Sequence, residues 1–346
     1  MSKFAKKSTA VDSVIDDATS YDADIVPKIP IADALFVSTG STLLDLAISG
    51  GRQRYGGVPS GRLVEIFGPS GAGKTALLAA ICGEAQKAGG AACVRDPESR
   101  LDLEYAKIYD MSLAEAVFDY ARPNTVTELF EDLFTWNPEN RKTVNVFGGD
   151  SVAALSTNME MESEDKMGGR RAKEFSQGFR KTARLIAEPH KLVVFTNQVR
   201  QDMKTGRWVT PGGEALRYYS TIRIDVRLVK KIEKKAKTNS GVEVKKIIGI
   251  ESVVNVVKNS ADEPYRSAPL YIVFNYGLDD IRANLQYIKD MTKNTVYWAV
   301  TKEYQQLDKA IEWIEQNNLE QELKEATVDL WNEINDLFRV TRKKKG

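Results

Sequence analysis

A chain of 346 residues, 42% apolar and 28% charged, is long enough to bury a large core and too apolar to be a disordered polyelectrolyte. Its formal net charge of +1 excludes a uniformly basic coat, so any polyanion must be held by lysines and arginines gathered locally. No run of eighteen apolar residues occurs and MSKFAKKSTAVDSVIDD lacks a signal-like apolar stretch, which sets the expectation of a cytoplasmic protein without a membrane span.

Residues 1–37 are polar, with a short amphipathic piece, AVDSVIDD, and the proline-containing IVPKIPIADALF; the stretch reads as an arm that touches a neighbour. From Gly61 strand-like and helix-like stretches alternate: LVEIF then ALLAAICGEAQKA, AACVR then LDLEYAKIYD, AVFDYA then VTELFEDLFTW, VNVFGGD then RAKEFSQGFRKTARLIA, and LVVFTNQ. A βα series of this kind predicts a largely parallel sheet. After Tyr219 two long strand-like segments, TIRIDVRLVKKI and VKKIIGIESVVNVVKN, joined by KTNSG, predict an antiparallel hairpin extending one sheet edge. IRANLQYIKDM, YQQLDKAIEWIEQNN and EQELKEATVDLWNEINDLF look helical, with VYWAV a short strand among them. The fold class is therefore α/β: an arm (1–37), a core with a mostly parallel sheet and an antiparallel edge hairpin (38–277), a small C-terminal α/β domain (278–340) and a basic tail (341–346). Cys82 and Cys93 fall at apolar positions and read as small buried hydrophobes in a reducing compartment. His190, the single histidine, reads as a surface turn residue, and nothing suggests a transition-metal site.

GPSGAGKT, residues 68 to 75, sits between a strand pattern and a helix pattern and satisfies G-x-x-x-x-G-K-[ST]. In that setting the backbone of Gly68, Pro69, Ser70, Gly71, Ala72 and Gly73 wraps a polyphosphate at a helix N-terminus, Lys74 neutralises the β and γ phosphates, and Thr75 offers its hydroxyl to Mg²⁺. Asp150, closing VNVFGGD, fits a second carboxylate that holds the metal through water, with Ser151 beside it to sense the γ-phosphate. Gly148 and Gly149 are unusual for a buried central strand. Glu98, after the strand AACVR, would emerge at the same sheet edge, where a carboxylate can orient water for attack; a solvated turn residue is the plainer alternative.

In this order, STGSTLLDLAISGG, GRLVEIFGPSGAGKT, DPESRLDLEYAK, DSVAALSTNMEMES, MGGRRAKEFSQGFRK, FTNQVR, GGEALRYYSTIRIDVR and VVKN resemble the RecA recombinase family, bacterial and phage-encoded, from about Val37 to Tyr276. The resemblance implies a RecA-type ATPase core using ATP and Mg²⁺, and a DNA-stimulated ATPase that forms filaments on single-stranded DNA and exchanges strands with a homologous duplex. Accessory single-strand-binding and mediator proteins would join it. It casts Glu98 as the carboxylate that activates water and Gln198 as the γ-phosphate sensor. Asp102 and Tyr105 would lie against adenine, although Tyr105 could equally pack in the core. Two basic, glycine-bearing loops become DNA-binding elements: one with Met167, Gly168, Gly169, Arg170 and Arg171, the other with Arg200, Lys204, Arg207, Trp208, Gly212 and Gly213. Both are expected to be mobile before binding.

The family places ATP between neighbouring subunits, with two basic residues of the adjacent protomer reaching the γ-phosphate. Lys258 matches the first, but Ser260 stands where the second is expected, so hydrolysis would be slower or less DNA-dependent unless Arg266 or Lys246 substitutes. Arg217, Tyr218 and Arg223 match subunit-contact positions. The arm does not match the family's N-terminal helix in detail, and Arg342, Lys343, Lys344 and Lys345 replace an acidic tail, which would attract DNA. Two other readings share the P-loop core: a ring motor or helicase, and a weakly catalytic paralogue that coats DNA or loads another recombinase.

Overall fold

The computed structural model describes residues 33–157, 168–186, 188, 190–201, 208–209, 214–340 and 342. The body of the N-terminal arm therefore lies outside the described residues, as do Lys343, Lys344 and Lys345 of the tail.

The described residues open with β1 (Phe36–Val37), α1 (Thr42–Ser49) and β2 (Val58–Pro59), with β1 antiparallel to β2. The alternating core follows: β3 (Arg62–Gly68), α2 (Lys74–Lys87), β4 (Ala92–Arg95), α3 (Leu103–Ala106), β5 (Phe118–Ala121), α4 (Val126–Thr135), β6 (Asn145–Gly149), α5 (Gly168–Leu185) and β7 (Lys191–Gln198). Next come β8 (Arg200–Gln201), β9 (Trp208–Val209), α6 (Glu214–Tyr219), β10 (Ile222–Lys237), β11 (Glu243–Asn259), β12 (Ser267–Val273) and β13 (Gly277–Leu278). The C-terminal elements are α7 (Asp280–Thr292), β14 (Tyr297–Ala299), β15 (Lys302–Tyr304), α8 (Leu307–Gln316) and α9 (Glu320–Leu337).

Among the described residues nine strands form one sheet, in the order β13-β12-β11-β10-β3-β7-β6-β4-β5. From β10 to β5 all neighbours are parallel; β11, β12 and β13 continue antiparallel. Strands buried on both faces read as near-continuous apolar runs, which is why LVVF stands out in the sequence, and LVEIF is broken only by Glu65, buried and paired with Arg223. One core cluster packs α1 and α2 against the sheet through Leu44, Leu77, Ile81 and Val194. Another packs α4 and α5 through Phe130, Phe175, Phe179 and Phe195, with Phe130 and Phe179 meeting edge to face at 5.1 Å. Residues of α7, α8 and α9 enclose a third cluster around Leu285, Ile314 and Leu323, and α9 also lies on α1. Both cysteines are fully buried, and burial pushes the Cys82 thiol up to about 12.

Three elements differ from expectation. LDLEYAKIYD forms one helical turn, α3, and a 3-10 turn, because Asp110 takes a left-handed conformation that stops it. The strand in VYWAV has a partner, β15, whose polar KEY carries no strand pattern. His190 lies in a turn but is buried, not on the surface: its carbonyl accepts from the backbone N–H of Asn145 at 2.7 Å, which ties the turn to the start of β6. Burial also holds its imidazole below the ordinary pKa.

Candidate nucleotide site and nucleic-acid interface

The phosphate loop begins where β3 ends, at Gly68, and closes into α2 at Lys74. Gly73 has φ +102°, and a Cβ there would lie 2.4 Å from Cδ1 of Ile272, so the loop conformation requires glycine. The Lys74 ammonium is buried and donates to the carbonyls of Gly68 at 3.0 Å and Pro69 at 2.8 Å. Burial lowers its pKa, and the neighbouring Asp150 carboxylate opposes that shift.

Asp150 follows the end of β6, two strands away from β3. Its Oδ2 accepts from Thr75 Oγ1 at 2.6 Å and its Oδ1 from the hydroxyl of Thr196 on β7. The unusual glycines before it have a packing reason: a Cβ at Gly149 would stand 2.5 Å from the Phe195 ring, and one at Gly148 3.0 Å from Leu78. Desolvation raises the Asp150 pKa against the pull of the Thr196 and Thr75 hydroxyls. Ser151 is buried beside it and its hydroxyl accepts from Ala153 N–H, capping a 3-10 turn.

Sequence reasoning passed over Asp96. This carboxylate is fully buried; its Oδ2 accepts from Leu101 N–H at 2.8 Å and the Tyr120 hydroxyl at 3.0 Å, while Oδ1 has no partner among the described residues. Its charge also raises the pKa of Asp150. The signal that marks Asp150, an acid at the end of a buried strand, was present in AACVRD as well.

Gln198, the last residue of β7, donates its amide to Glu98 Oε1 at 2.9 Å and Oε2 at 3.2 Å. Arg100 Nε sits 2.5 Å from Glu98 Oε2. Asp102 caps α3 by accepting from the N–H groups of Glu104 at 2.9 Å and Tyr105 at 3.2 Å. The Tyr105 ring is part-exposed and meets Tyr109 edge-on at 5.9 Å. Lys74, Thr75, Glu98, Tyr105, Asp150 and Gln198 thus surround one cavity of about 430 Å³, with Ile250 and Ile272 as an apolar wall. That volume lies within the range of small-molecule sites. The donor set fits a nucleotide and a divalent cation: an ammonium and loop amides for phosphates, and hydroxyl and carboxylate oxygens, which hard cations prefer.

Other predicted residues lie elsewhere. Lys258, near the end of β11, does not line the cavity; its ammonium donates to the carbonyls of Arg217 at 3.2 Å and Tyr218 at 2.9 Å in the last turn of α6. Arg217 and Tyr218 are exposed. Arg223 is engaged within its own subunit, with Nε 2.5 Å from the buried Glu65 carboxylate and the guanidinium over the Phe67 ring at 4.4 Å. The backbone N–H of Ser260 donates to the Thr221 carbonyl at 2.9 Å. Arg266 pairs with Asp262 at 3.1 Å and Glu263 at 2.8 Å, and Lys246 stands on the hairpin opposite Lys234.

Of the two candidate DNA loops, Gly168, Gly169, Arg170 and Arg171 fall in the first turns of α5 rather than in a loop. Arg200 and Trp208 belong to the antiparallel pair β8 and β9. Met167, Lys204, Arg207, Gly212 and Gly213 lie outside the described residues. No described helix is long and apolar enough to cross a membrane.

The family model for the RecA N-terminal domain matches residues 26–279. Protein RecA of Thermus aquaticus is 37% identical over 253 residues, covering 71% of this chain and 68% of its own length. Protein RecA of Bordetella petrii is 36% identical over 253 residues, covering 71% of this chain and 65% of its own length. For Protein RecA of Delftia acidovorans the figures are 36% over 255 residues, 72% and 64%. The chain thus matches about two thirds of the length of these relatives.

Proposed function

The chain belongs to the RecA family, and from that premise we propose that it is an ATP-dependent DNA recombinase that assembles on single-stranded DNA, pairs it with a homologous duplex and exchanges strands. The observation that carries the reading is the Gln198–Glu98 contact. It ties the carboxylate that would orient water to the strand end from which the second candidate DNA loop departs, two residues before Arg200. A phosphate that drew on the Gln198 amide would shift both at once, so nucleotide state and DNA affinity share one short segment.

In this reading Lys74 and the loop amides of residues 68 to 73 hold the phosphates, exchanging the Gly68 and Pro69 carbonyls for phosphate oxygens. Thr75 and Asp150 hold Mg²⁺, which would supply charge neutralisation at the β and γ phosphates when bound. Ser151 stands beside them. Glu98 accepts a proton from the attacking water, and Asp102 and Tyr105 flank the base. Lys258, which does not line its own cavity, serves that of a neighbour, with Arg217, Tyr218 and Arg223 in the subunit contact. Basic side chains at the start of α5, Arg170 and Arg171, and of residues 200–213 track the DNA backbone. Residues 38–277 act as the ATPase core, 278–340 as a C-terminal lobe, the arm as a link to the next subunit and the tail as a DNA attractant.

Ser260 favours a second reading, a slowly hydrolysing loader of another recombinase, since an interface with one cation fewer stabilises less transition-state charge. ATP hydrolysis with and without single-stranded DNA, combined with electron microscopy in a non-hydrolysable analogue, separates the two. DNA-stimulated turnover with helical filaments is the expected result. DNA coating indifferent to nucleotide would select the loader, and closed rings a motor.

A further inference from the structure

β10 and β11 run on beyond the sheet that holds them. β10 lies against β3 only over residues 222 to 225, and β11 against β12 only over residues 249 to 255. From the Glu233–Ile247 pair to the Lys237–Glu243 pair the two strands pair with nothing but each other. This free ribbon is about 15 Å long before its turn. Because β10 is parallel to β3, with Asp225 opposite Phe67, it leaves at the edge where Gly68 opens the phosphate loop and β7 ends at Gln198.

Between Val229 and Ile247 stand seven lysines and two glutamates. The register sets Lys234 directly opposite Lys246 and, in the next rank, Lys235 opposite Lys245. Opposed like charges destabilise a strand pair, and local choices that work against the fold tend to mark function. Both glutamates are already engaged, Glu233 with Lys245 and Glu243 with Lys235 at 2.9 Å. Lys231, Lys234 and Lys237 have no carboxylate within 4 Å among the described residues. Strand alternation puts Lys234 on one face and Lys231 and Lys237 on the other, so positive charge lines both faces. A flat anionic surface would call for charge on one face; a groove with a phosphate wall on either side calls for both.

We propose that this ribbon is a binding element for duplex DNA, seated in a groove with its lysines against the backbone phosphates. A two-stranded ribbon fits the width of the major groove, and contacts to phosphate alone make the binding indifferent to sequence. The choice of DNA as the polyanion rests on the recombinase reading; the surface itself does not. Lys234 also borders a cleft lined by Glu312 and Glu315 of the C-terminal lobe, which offers a competing use as an internal latch.

The test replaces Lys231, Lys234 and Lys237 together with Gln in the full chain. Affinity for a labelled duplex is measured against salt concentration, with thermal stability and single-strand-stimulated ATP hydrolysis on the same preparations. Duplex affinity should fall about tenfold or more at moderate salt, and the log–log salt slope should become shallower by about 0.9 for each phosphate contact removed. Single-strand-stimulated hydrolysis should not change, and the Lys→Arg triple variant should bind like the parent. Duplex affinity and slope equal to the parent's would overturn the proposal. With that equality, lowered thermal stability would assign the lysines to the latch, and lost binding to vesicles of anionic lipid would assign them to a membrane. An Arg variant as weak as the Gln variant would also sink it. A parent without single-strand-stimulated hydrolysis would remove the recombinase reading, yet the duplex measurement would still decide the ribbon.

Discussion

The phosphate-loop side and the Lys258 side of the molecule are built on different terms. Around the loop the key side chains hold one another: Thr75 bonds Asp150, Asp150 also accepts from Thr196, and Gln198 bonds Glu98. Three parallel strands, β3, β6 and β7, set those positions from the buried core. At the end of β11, Lys258 instead holds backbone carbonyls of α6, beside the exposed Arg217 and Tyr218, and does not line its own cavity. One side is a pocket furnished within a single chain; the other has the makings of half a contact. A buried network can orient groups before a ligand arrives, whereas a long lysine capping a helix end is free to exchange its carbonyls for a stronger anion.

The largest expected effect breaks the first side. Glu98→Gln keeps the size of the side chain but removes the carboxylate proposed to accept the proton, so kcat should fall by about 10²- to 10⁴-fold while ATP-dependent DNA binding survives. Steady-state hydrolysis alongside DNA binding in ATP reads both quantities; turnover within about twofold of the parent would mean that another group orients the water. On the other side, Lys258→Ala should lower kcat by about 10²-fold, the typical loss of one charge-stabilising donor. Mixing the two inactive variants sharpens the comparison. If the site spans two subunits, a Glu98→Gln protomer supplies Lys258 to a neighbour that retains Glu98, and part of the hydrolysis returns. No recovery on mixing would place the lysine's role inside its own chain.

How much of this was legible depended on how local the determinants were. The phosphate loop was readable because its glycines and the Lys–Thr pair carry their own geometry, and the hairpin because each long strand alternates over many residues. Asp96 was harder: the strand-end signal was there in AACVRD, but in RDPE two acids stand two residues apart and nothing local says which one is buried. The burial of His190 and the capping of α6 by Lys258 rest on partners 45 and 40 residues distant in sequence. The tight glycines before Asp150 looked like a defect in a strand until Phe195 and Leu78 were seen to fill the space.

A smaller effect concerns the scaffold both sides share. Asp45 on α1 is fully buried, and desolvation pushes its carboxyl up to about 7 against hydrogen bonds from Ser38 and Thr39. A carboxyl that keeps its proton to higher pH when folded contributes stability that is present below the ordinary carboxylate pKa and is lost as pH rises through the folded value. One proton limits the loss to about 1.4 kcal/mol per pH unit. The melting temperature of the parent should therefore fall relative to that of Asp45→Asn between pH 4 and pH 7, with hydrolysis corrected for folded protein unaffected. Parallel curves for the two proteins would show that Asp45 is ionised throughout, and any pH dependence of activity would then belong to the sites.

The mildest test returns to the pocket and asks how far its preassembly extends toward the base. Tyr105 stands at the cavity wall with its ring part-exposed and its edge against Tyr109, and Asp102 fixes the turn that presents it. Ring-on-ring contact contributes about 0.5–1.5 kcal/mol, so Tyr105→Ala should raise KM for ATP by roughly 2- to 12-fold and leave kcat unchanged. Tyr105→Phe keeps the ring and should stay close to the parent. The pair of variants separates stacking from packing: a ring that only supports Tyr109 would change thermal stability in the Ala variant without moving KM. Were KM to rise in the Phe variant as well, the hydroxyl rather than the ring face would be the contact. Recognition on this side would then be polar, and the pocket would discriminate among bases more sharply than a stacking wall can.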